Sequence, residues 1–276
     1  MNTNAMRIAH LSDVHMLDAR PSRARSGYTM GHHFLSFGRP LDAELRKRKL
    51  ARALSASQRV GADHVVISGD LTEIGAPGEF ETLAEVLHDS RIPADRMTLV
   101  PGNHDLYSSA EAWKWALQGP LAAFRETSSD RPDRVVEVAG VRILPIDVAR
   151  HQPVTRSAGW IGEQELEVIK RHGSDTGLSD RPLVIVQHHP PFVRPTRALH
   201  WIDGLVGATH LMSLLETFRH LFVLHGHLHS AVNRALGCGV ARILGATAVV
   251  DDRDGARVRL YDVRDGQLTA AGLATG

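Results

Sequence analysis

The chain has 276 residues, 43% of them hydrophobic, one cysteine, and a formal charge of +1 from Lys+Arg 32 against Asp+Glu 31. That content can bury a large core, and the near-neutral balance leaves no global field to recruit nucleic acid or an anionic membrane. Cys238, being alone, excludes an internal disulfide and every thiolate-rich zinc cluster.

No stretch approaches the roughly 18 apolar residues of a membrane span, and the opening MNTNAMRIAH has no apolar core behind a basic stretch. A cytoplasmic protein folded as one domain over residues 1–276 is expected, with a homo-oligomer left open. The first strand is expected over residues 7–11, followed by a long loop, 16–40, rich in Gly, Pro, Arg and His. Leu41, Leu45, Leu50, Ala53 and Leu54 among charges predict an amphipathic helix over 41–60. A strand at 64–68, a helix near 79–88, a strand at 97–101 and a helix over 111–124 follow. Residues 134–138 and 141–146, split by Ala139-Gly140, read as a hairpin. Helices are expected over 163–172 and 208–219, strands at 183–187 and 221–224, and a β-rich tail over 231–276 with pieces at 231–236, 240–244, 257–261 and 268–271. A βαβα beginning and a β-rich end predict an α/β fold of two packed sheets with helices outside.

Five of the apolar runs end in side chains that bind metals: Asp13 and His15, Asp70, Asn103 and His104, His188, then His227 and His229. Loops beyond the carboxyl ends of strands in open α/β sheets converge on one crevice, so these residues can share a site. Asp13 and His15, two apart in an extended segment, share a face. Gly69 allows close approach to Asp70, whose two oxygens can bridge two cations. Asn103 offers an uncharged oxygen, His104 can move protons, and Asp105 is placed to set its tautomer. Two cations facing this set favour hydroxide and a phosphate ester together. Nitrogen and oxygen donors without sulfur suit Mn, Fe or Zn, with Co or Ni able to substitute, over Mg or Ca.

The motifs DVH, GD, GNHD, HHPP and GHLH, in this order, resemble the calcineurin-like metallophosphoesterase superfamily over residues 7–234. The resemblance implies a four-layer α-β-β-α sandwich of two mixed sheets flanked by helices. It also implies a binuclear centre, with Asp13, His15, Asp70 and His229 on one ion and Asp70, Asn103, His188 and His227 on the other. A hydroxide bridging the ions would attack phosphorus, and His104 would serve as acid to the leaving group. GDLTEIGAPGEF and HHPPF look most like the bacterial branch of cyclic-nucleotide and glycerophosphodiester phosphodiesterases. A small-molecule phosphodiesterase is therefore expected. A phosphomonoesterase, a nuclease, a lipid-linked pyrophosphate hydrolase and a non-catalytic scaffold are the alternatives; the lipid reading needs an exposed apolar patch that the sequence does not obviously offer.

His189 competes with His188 as ligand. His32 and His33 on the long loop, and Arg194, Arg197, His200 and Trp201 between two ligand-bearing strands, are candidates for touching substrate. His10 reads as a satisfied core side chain and His225 as a structural one. Trp113 and Trp115, two apart on a helix, cannot share its face and read as packing residues. The run from Arg46 to Lys49 reads as a solvated helix face, with nucleic-acid contact as the alternative.

Overall fold

Along β2 (His64–Ser68), Val65 and Ile67 pack to one side and Val66 to the other, and all three are buried. The same alternation in β7 (Leu183–Val186) sends Leu183 and Ile185 one way and Val184 and Val186 the other. Strands covered on both faces read as unbroken apolar runs, which is why each was visible as a run in the sequence. The computed structural model describes residues 6–20, 36, 38–178, 181–237, 241–264 and 266–275.

One sheet has the order β13-β12-β1-β2-β3 and the other β10-β11-β9-β7-β5-β4. In the first, β1 (Met6–Leu11), β2 and β3 (Met97–Val100) are parallel, and β12 (Arg257–Arg264) and β13 (Gln267–Thr275) add antiparallel. In the second, β5 (Val141–Pro145), β7, β9 (Leu221–His225) and β11 (Ala241–Gly245) are parallel, with β4 (Val136–Val138) and β10 (Val232–Ala235) antiparallel at the edges.

Three apolar layers hold the stack. Ile8, Val66 and Val100 meet Val184, Phe222 and Leu224 between the sheets. Helices α1 (Ala43–Arg59), α2 (Pro77–Asp89) and α3 (Ala112–Gln118) cover the outside of the first sheet, placing Leu50, Leu54, Phe80, Leu83 and Trp113 there. Helices α4 (Glu163–Gly173) and α6 (Ala208–Thr217) cover the second through Ile169, Leu211 and Leu215. The expected four-layer sandwich of two mixed sheets is therefore the architecture. Parallel order within each sheet brings the carboxyl ends of β1, β2 and β3 to one edge, where those of β7 and β9 meet them. Among the described residues no helix is long and apolar enough to cross a membrane.

Four expectations need correction. The helix expected over 111–124 stops at Gln118 and resumes as a 3-10 turn over Ala122–Thr127, because Gly119 leaves helical geometry and Pro120 has no N–H to continue it. A seven-residue helix, α5 (Arg197–Asp203), stands where none was expected; Thr196 caps it by accepting from the Leu199 N–H. A two-strand parallel bridge, β6 (Gly159–Trp160) with β8 (Leu205–Val206), was also not anticipated. Finally, Arg46 is no part of a solvated face. It is buried at 2% exposure and donates to the His15 carbonyl at 2.8 Å, to Glu73 Oε2 at 3.3 Å and to the Pro40 carbonyl at 3.2 Å.

Candidate metal centre

At the shared sheet edge the backbone is held in an unfavourable conformation. Asp13, His15, Asp70, His227 and His229 all have positive φ, between 48° and 68°. A non-glycine residue there costs on the order of 1 kcal/mol or more, and persists only where its surroundings over-determine it. The surroundings do so. The Asp13 N–H donates to the Gly69 carbonyl at 3.0 Å and the His15 N–H to the Asp70 carbonyl at 2.9 Å, which zips the β1 and β2 exits together. Gly69, itself at φ 93°, lies so close to His188 that an added Cβ would stand 2.5 Å from the His188 Nδ1. Glycine is what lets the second sheet's histidine reach the first sheet's aspartate.

The side chains then converge. His188 Nε2 stands 3.2 Å and His15 Nε2 3.8 Å from Asp70 Oδ2, while His229 Nε2 stands 3.3 Å from Asp13 Oδ1. Three groups have potential ligand atoms within 4.8 Å of one another: Asp13, His15 and His229; His15, Asp70 and His104; Asp70, His188 and His227. Asp70 belongs to two of them. Asn103 donates its amide to the Tyr107 hydroxyl at 2.8 Å, leaving Asn103 Oδ1 unused.

Two observations test whether this set suits cations. Asp13 Oδ1, both ring nitrogens of His15, Asn103 Oδ1 and His188 Nε2 are buried without a hydrogen-bond partner, an arrangement that is costly unless something binds there. Protonation points the same way. Burial would lower His188 and His229, yet Asp70 pushes His188 up to about 9 and Asp13 pushes His229 up to about 10. Burial would raise Asp70, but His188 and His104 hold it well below the ordinary carboxylate range. Buried carboxylates here draw positive charge from whatever is nearby, and two cations would supply it with all imidazoles neutral. The residues fit a metal pair.

The outer contacts fix these rings. His188 Nδ1 bonds the Ser68 carbonyl at 2.8 Å, His227 Nε2 the Asp203 carbonyl at 3.0 Å and His104 Nδ1 the Glu73 carbonyl at 2.7 Å. This last contact corrects the role expected of Asp105. Its carboxylate does not meet the His104 ring; it accepts from the backbone N–H groups of Leu71, Thr72 and Gly102 and from the Thr72 hydroxyl, all within 3.0 Å. Asp105 thereby clamps the loop after β2 to the loop after β3. Burial nevertheless raises it to about 6.

Between the two histidines of HHPP the geometry is unambiguous. His188 faces Asp70, whereas His189 turns its Nε2 to the Ser157 carbonyl at 2.5 Å. His10 is satisfied by Ser68 and Tyr261, as expected of a core residue.

Beside the cluster lies a cavity of about 430 Å³, lined by Asp70, Asn103, His104, Tyr107, His227 and His229 on one side and by Val154, Thr155, Ser157, Ile202 and Asp203 on the other. Among the described residues, the expected substrate-facing Arg194, Arg197, His200 and Trp201 do not line it. Arg194 is occupied by a two-pronged pair with Asp203, at 3.1 and 2.9 Å. His200 lies 3.5 Å from the Arg194 N–H, Arg197 is exposed at the start of α5, and Trp201, 62% exposed, stacks under Arg156. Their neighbours Ile202 and Asp203 form the wall instead, because α5 turns the 197–201 side chains away from it. His32, His33 and Cys238 lie outside the described residues.

The family model for calcineurin-like phosphoesterases matches residues 6–231. The chain belongs to that family. It is accordingly a metal-dependent hydrolase of phosphate esters, from a group built around binuclear centres. The phosphoesterase is 26% identical over 228 residues to a glycerophosphodiester phosphodiesterase of Enterobacter lignolyticus, covering 82% of this chain and 71% of that one. It is also 26% identical to a probable cyclic nucleotide phosphodiesterase of Rhodopseudomonas palustris, covering 73% and 70%. In fold it is similar to a dimetal phosphatase from Danio rerio, with a TM-score of 0.65 at 14% identity, covering 98% of this chain and 96% of that chain.

Three contributors were not foreseen. Glu73 supplies a carbonyl to His104 and its carboxylate approaches His15 Nδ1 at 3.6 Å; its place in GDLTE was the only hint. Tyr107 orients Asn103 from one turn further along. Asp251, past the end of β11, bonds His229 and had no motif to announce it.

Proposed function

We propose that the phosphoesterase is a phosphodiesterase acting on small diesters. Asp13, His15, Asp70 and His229 would hold one divalent ion, and Asp70, Asn103, His188 and His227 a second, with Asp70 shared. When bound, such a pair acidifies water and withdraws charge from the non-bridging phosphate oxygens; the mixed nitrogen and oxygen donors suit Mn, Fe or Zn.

The protein's own groups do the rest. His104 donates from Nδ1 to the Glu73 carbonyl, so its Nε2 is the atom left to face the cavity and hand a proton to the departing oxygen. Tyr107 keeps the Asn103 amide turned so that its oxygen, not its nitrogen, is free. The Asp203 carbonyl holds His227 Nε2, which leaves Nδ1 for the centre. Val154 and Ile202 give the ester substituent an apolar wall and exclude water from it.

The observation that carries the diester reading is the composition of that cavity. Among the described residues, no Lys or Arg lines it. A diester carries one negative charge and a second substituent to place, which a wall without cations suits, whereas a monoester dianion would gain from a Lys or Arg there. The two relatives' names point the same way.

Hydrolysis of bis-p-nitrophenyl phosphate and p-nitrophenyl phosphate by chelator-stripped protein, with Mn, Fe or Zn restored, tests it. A diester preference in kcat/KM that returns with metal supports the reading; a monoester preference contradicts it.

A second reading, an amphipathic or lipid-linked ester, is favoured by one feature the sequence concealed. Val154, Val193, Leu199, Trp201 and Ile202 are exposed apolar side chains on the two segments that flank the cavity mouth. Faster turnover of a diester with a long acyl or alkyl substituent than of its short-chain analogue would select this reading.

A further inference from the structure

Asp251 lies beyond the 6–231 stretch shared with the family model, yet it touches the centre. Its Oδ2 is 2.7 Å from His229 Nδ1, on the opposite side of the ring from Asp13, whose Oδ1 is 3.3 Å from Nε2. One imidazole is thus gripped between two carboxylates. The grip is rigid because the two carboxylates ride on joined backbone: Val249 N–H donates to the Ser12 carbonyl at 2.9 Å and Val250 N–H to the Asp13 carbonyl at 3.1 Å. Lys49 Nζ reaches the Val250 carbonyl at 2.5 Å from α1. Arg39 completes the arrangement, with Nε 2.9 Å from Asp251 Oδ1 and a terminal nitrogen 3.0 Å from His229 Nδ1.

We infer that Asp251 is a positioning residue for the metal pair, setting the tautomer and orientation of His229 so that Nε2 is presented to the ion next to Asp13. The inference rests on the metal-site reading above. Its logic is a competition for one atom. His229 Nδ1 can accept from Arg39 or donate to Asp251, but not both. If it accepts, the proton sits on Nε2 and that nitrogen is closed to a cation. With Asp251 accepting, the proton is fixed on Nδ1 and Nε2 is open. Arg39 is then held by the Asp251 carboxylate rather than by the ring. Carboxylate partners of ligating histidines raise ligand basicity as well as fixing orientation, and their loss typically weakens metal affinity by about 10- to 100-fold. The 3-10 turn over Val249–Asp251, between β11 and β12, thereby completes a site whose other parts come from the five motif-bearing exits.

Calorimetric titration of chelator-stripped full-length protein with Mn²⁺ is the test, on wild type, Asp251→Ala and Asp251→Asn. Wild type is expected to take two ions. In Asp251→Ala one of the two should weaken by about 10- to 100-fold while the other keeps its affinity. Asp251→Asn retains an acceptor without the charge and should fall between; it carries the test alone if the alanine variant does not fold. Two ions bound by the variants with wild-type affinities would overturn the inference, and so would equal weakening of both, which marks general damage to the fold. Wild-type protein that takes up no ion would instead overturn the metal-site reading itself.

Discussion

The two sides of the cavity are built on opposite principles. On the metal side, Asp13, His15, Asp70, Asn103 and His104 sit on short strand exits, nearly all inaccessible to solvent, several in costly backbone conformations and clamped by backbone hydrogen bonds. On the facing side, residues 147–160 and 190–207 form irregular chain with one seven-residue helix and the two-residue strands β6 and β8, and carry most of the exposed large apolar side chains among the described residues. Chemistry that needs atoms fixed to a fraction of an ångström is placed where packing over-determines position. Choice of substrate is placed where side chains can be exchanged without disturbing it. Changes to the first side should therefore destroy turnover, and changes to the second should redirect it.

The largest effect should come from Asp70→Asn. Removing the charge that the proposed centre shares between its two ions should lower the affinity for both and reduce kcat/KM by about 10³-fold or more, several kcal/mol of lost charge stabilisation. Metal content by mass spectrometry checks this; full loading with two ions would show that Asp70 is not shared. His104→Ala comes next. It should keep its metals and lose about 10² to 10⁴ in kcat toward a diester with an alkyl leaving group. Toward bis-p-nitrophenyl phosphate, whose leaving group needs little protonation, the loss should be much smaller. Equal losses with both substrates would remove His104 from the acid role.

A third prediction concerns stability. Arg46 and Glu73 are both fully buried and paired, and Arg46→Met leaves the Glu73 carboxylate with the Ser36 hydroxyl at 2.7 Å as its other bond. Breaking one side of such a pair should cost about 3–5 kcal/mol in unfolding free energy, read by urea denaturation of the metal-free protein. A loss below about 1 kcal/mol would return Arg46 to the surface role first expected of it.

On the selecting side, Ile202→Ala should raise KM by about tenfold and leave kcat for a small diester nearly intact, since one apolar contact is worth about 1–3 kcal/mol and Ile202, 38% exposed, lies at the low end of that range. A collapse in kcat would place Ile202 in the chemistry instead.

The last effect is a pH dependence in the metal side's support. Burial raises Glu79 to about 8 although it accepts from the Ile74 and Ala76 N–H groups. The folded chain then binds a proton at this group that the unfolded chain releases near its ordinary pKa of about 4.3. The contribution to stability is full below about 4.3 and is lost as pH rises through about 8. Glu79→Gln should flatten that decline in thermal unfolding midpoints measured between pH 5 and 9. An unchanged slope would show that Glu79 is ionised in the fold throughout.

How much of this was legible depended on what each residue answers to. Val65 to Ile67 and Leu183 to Val186 are buried on both faces, so their apolar runs declared the strands without any knowledge of neighbours. The ligand residues followed because each stands at the end of such a run. Glu73, Asp251 and Arg46 answer to partners brought near only by folding: the His104 ring to which the Glu73 carbonyl is aimed, the Ser12 and Asp13 backbone against which the Asp251 turn is laid, and the His15 carbonyl that Arg46 reaches. No period or spacing encodes those contacts. Asp105 was misread for the same reason. It is adjacent to His104 in sequence, but the 3-10 turn over His104–Leu106 sends its carboxylate to the backbone N–H groups of Leu71, Thr72 and Gly102. The helix at 197–203 was hidden because seven residues are too few to establish a period, and the break at Gly119-Pro120 was outweighed by the Trp and Leu pattern on either side of it.

The central claim is that strand exits of both sheets assemble a two-ion centre joined through Asp70. Anomalous diffraction from crystals of the chelator-stripped protein soaked in Mn²⁺ tests it most directly. The account predicts two peaks about 3.5–4 Å apart, both in contact with the Asp70 carboxylate, one beside Asp13 and His229 and the other beside His188 and His227. A single peak, or two that do not share Asp70, would contradict it.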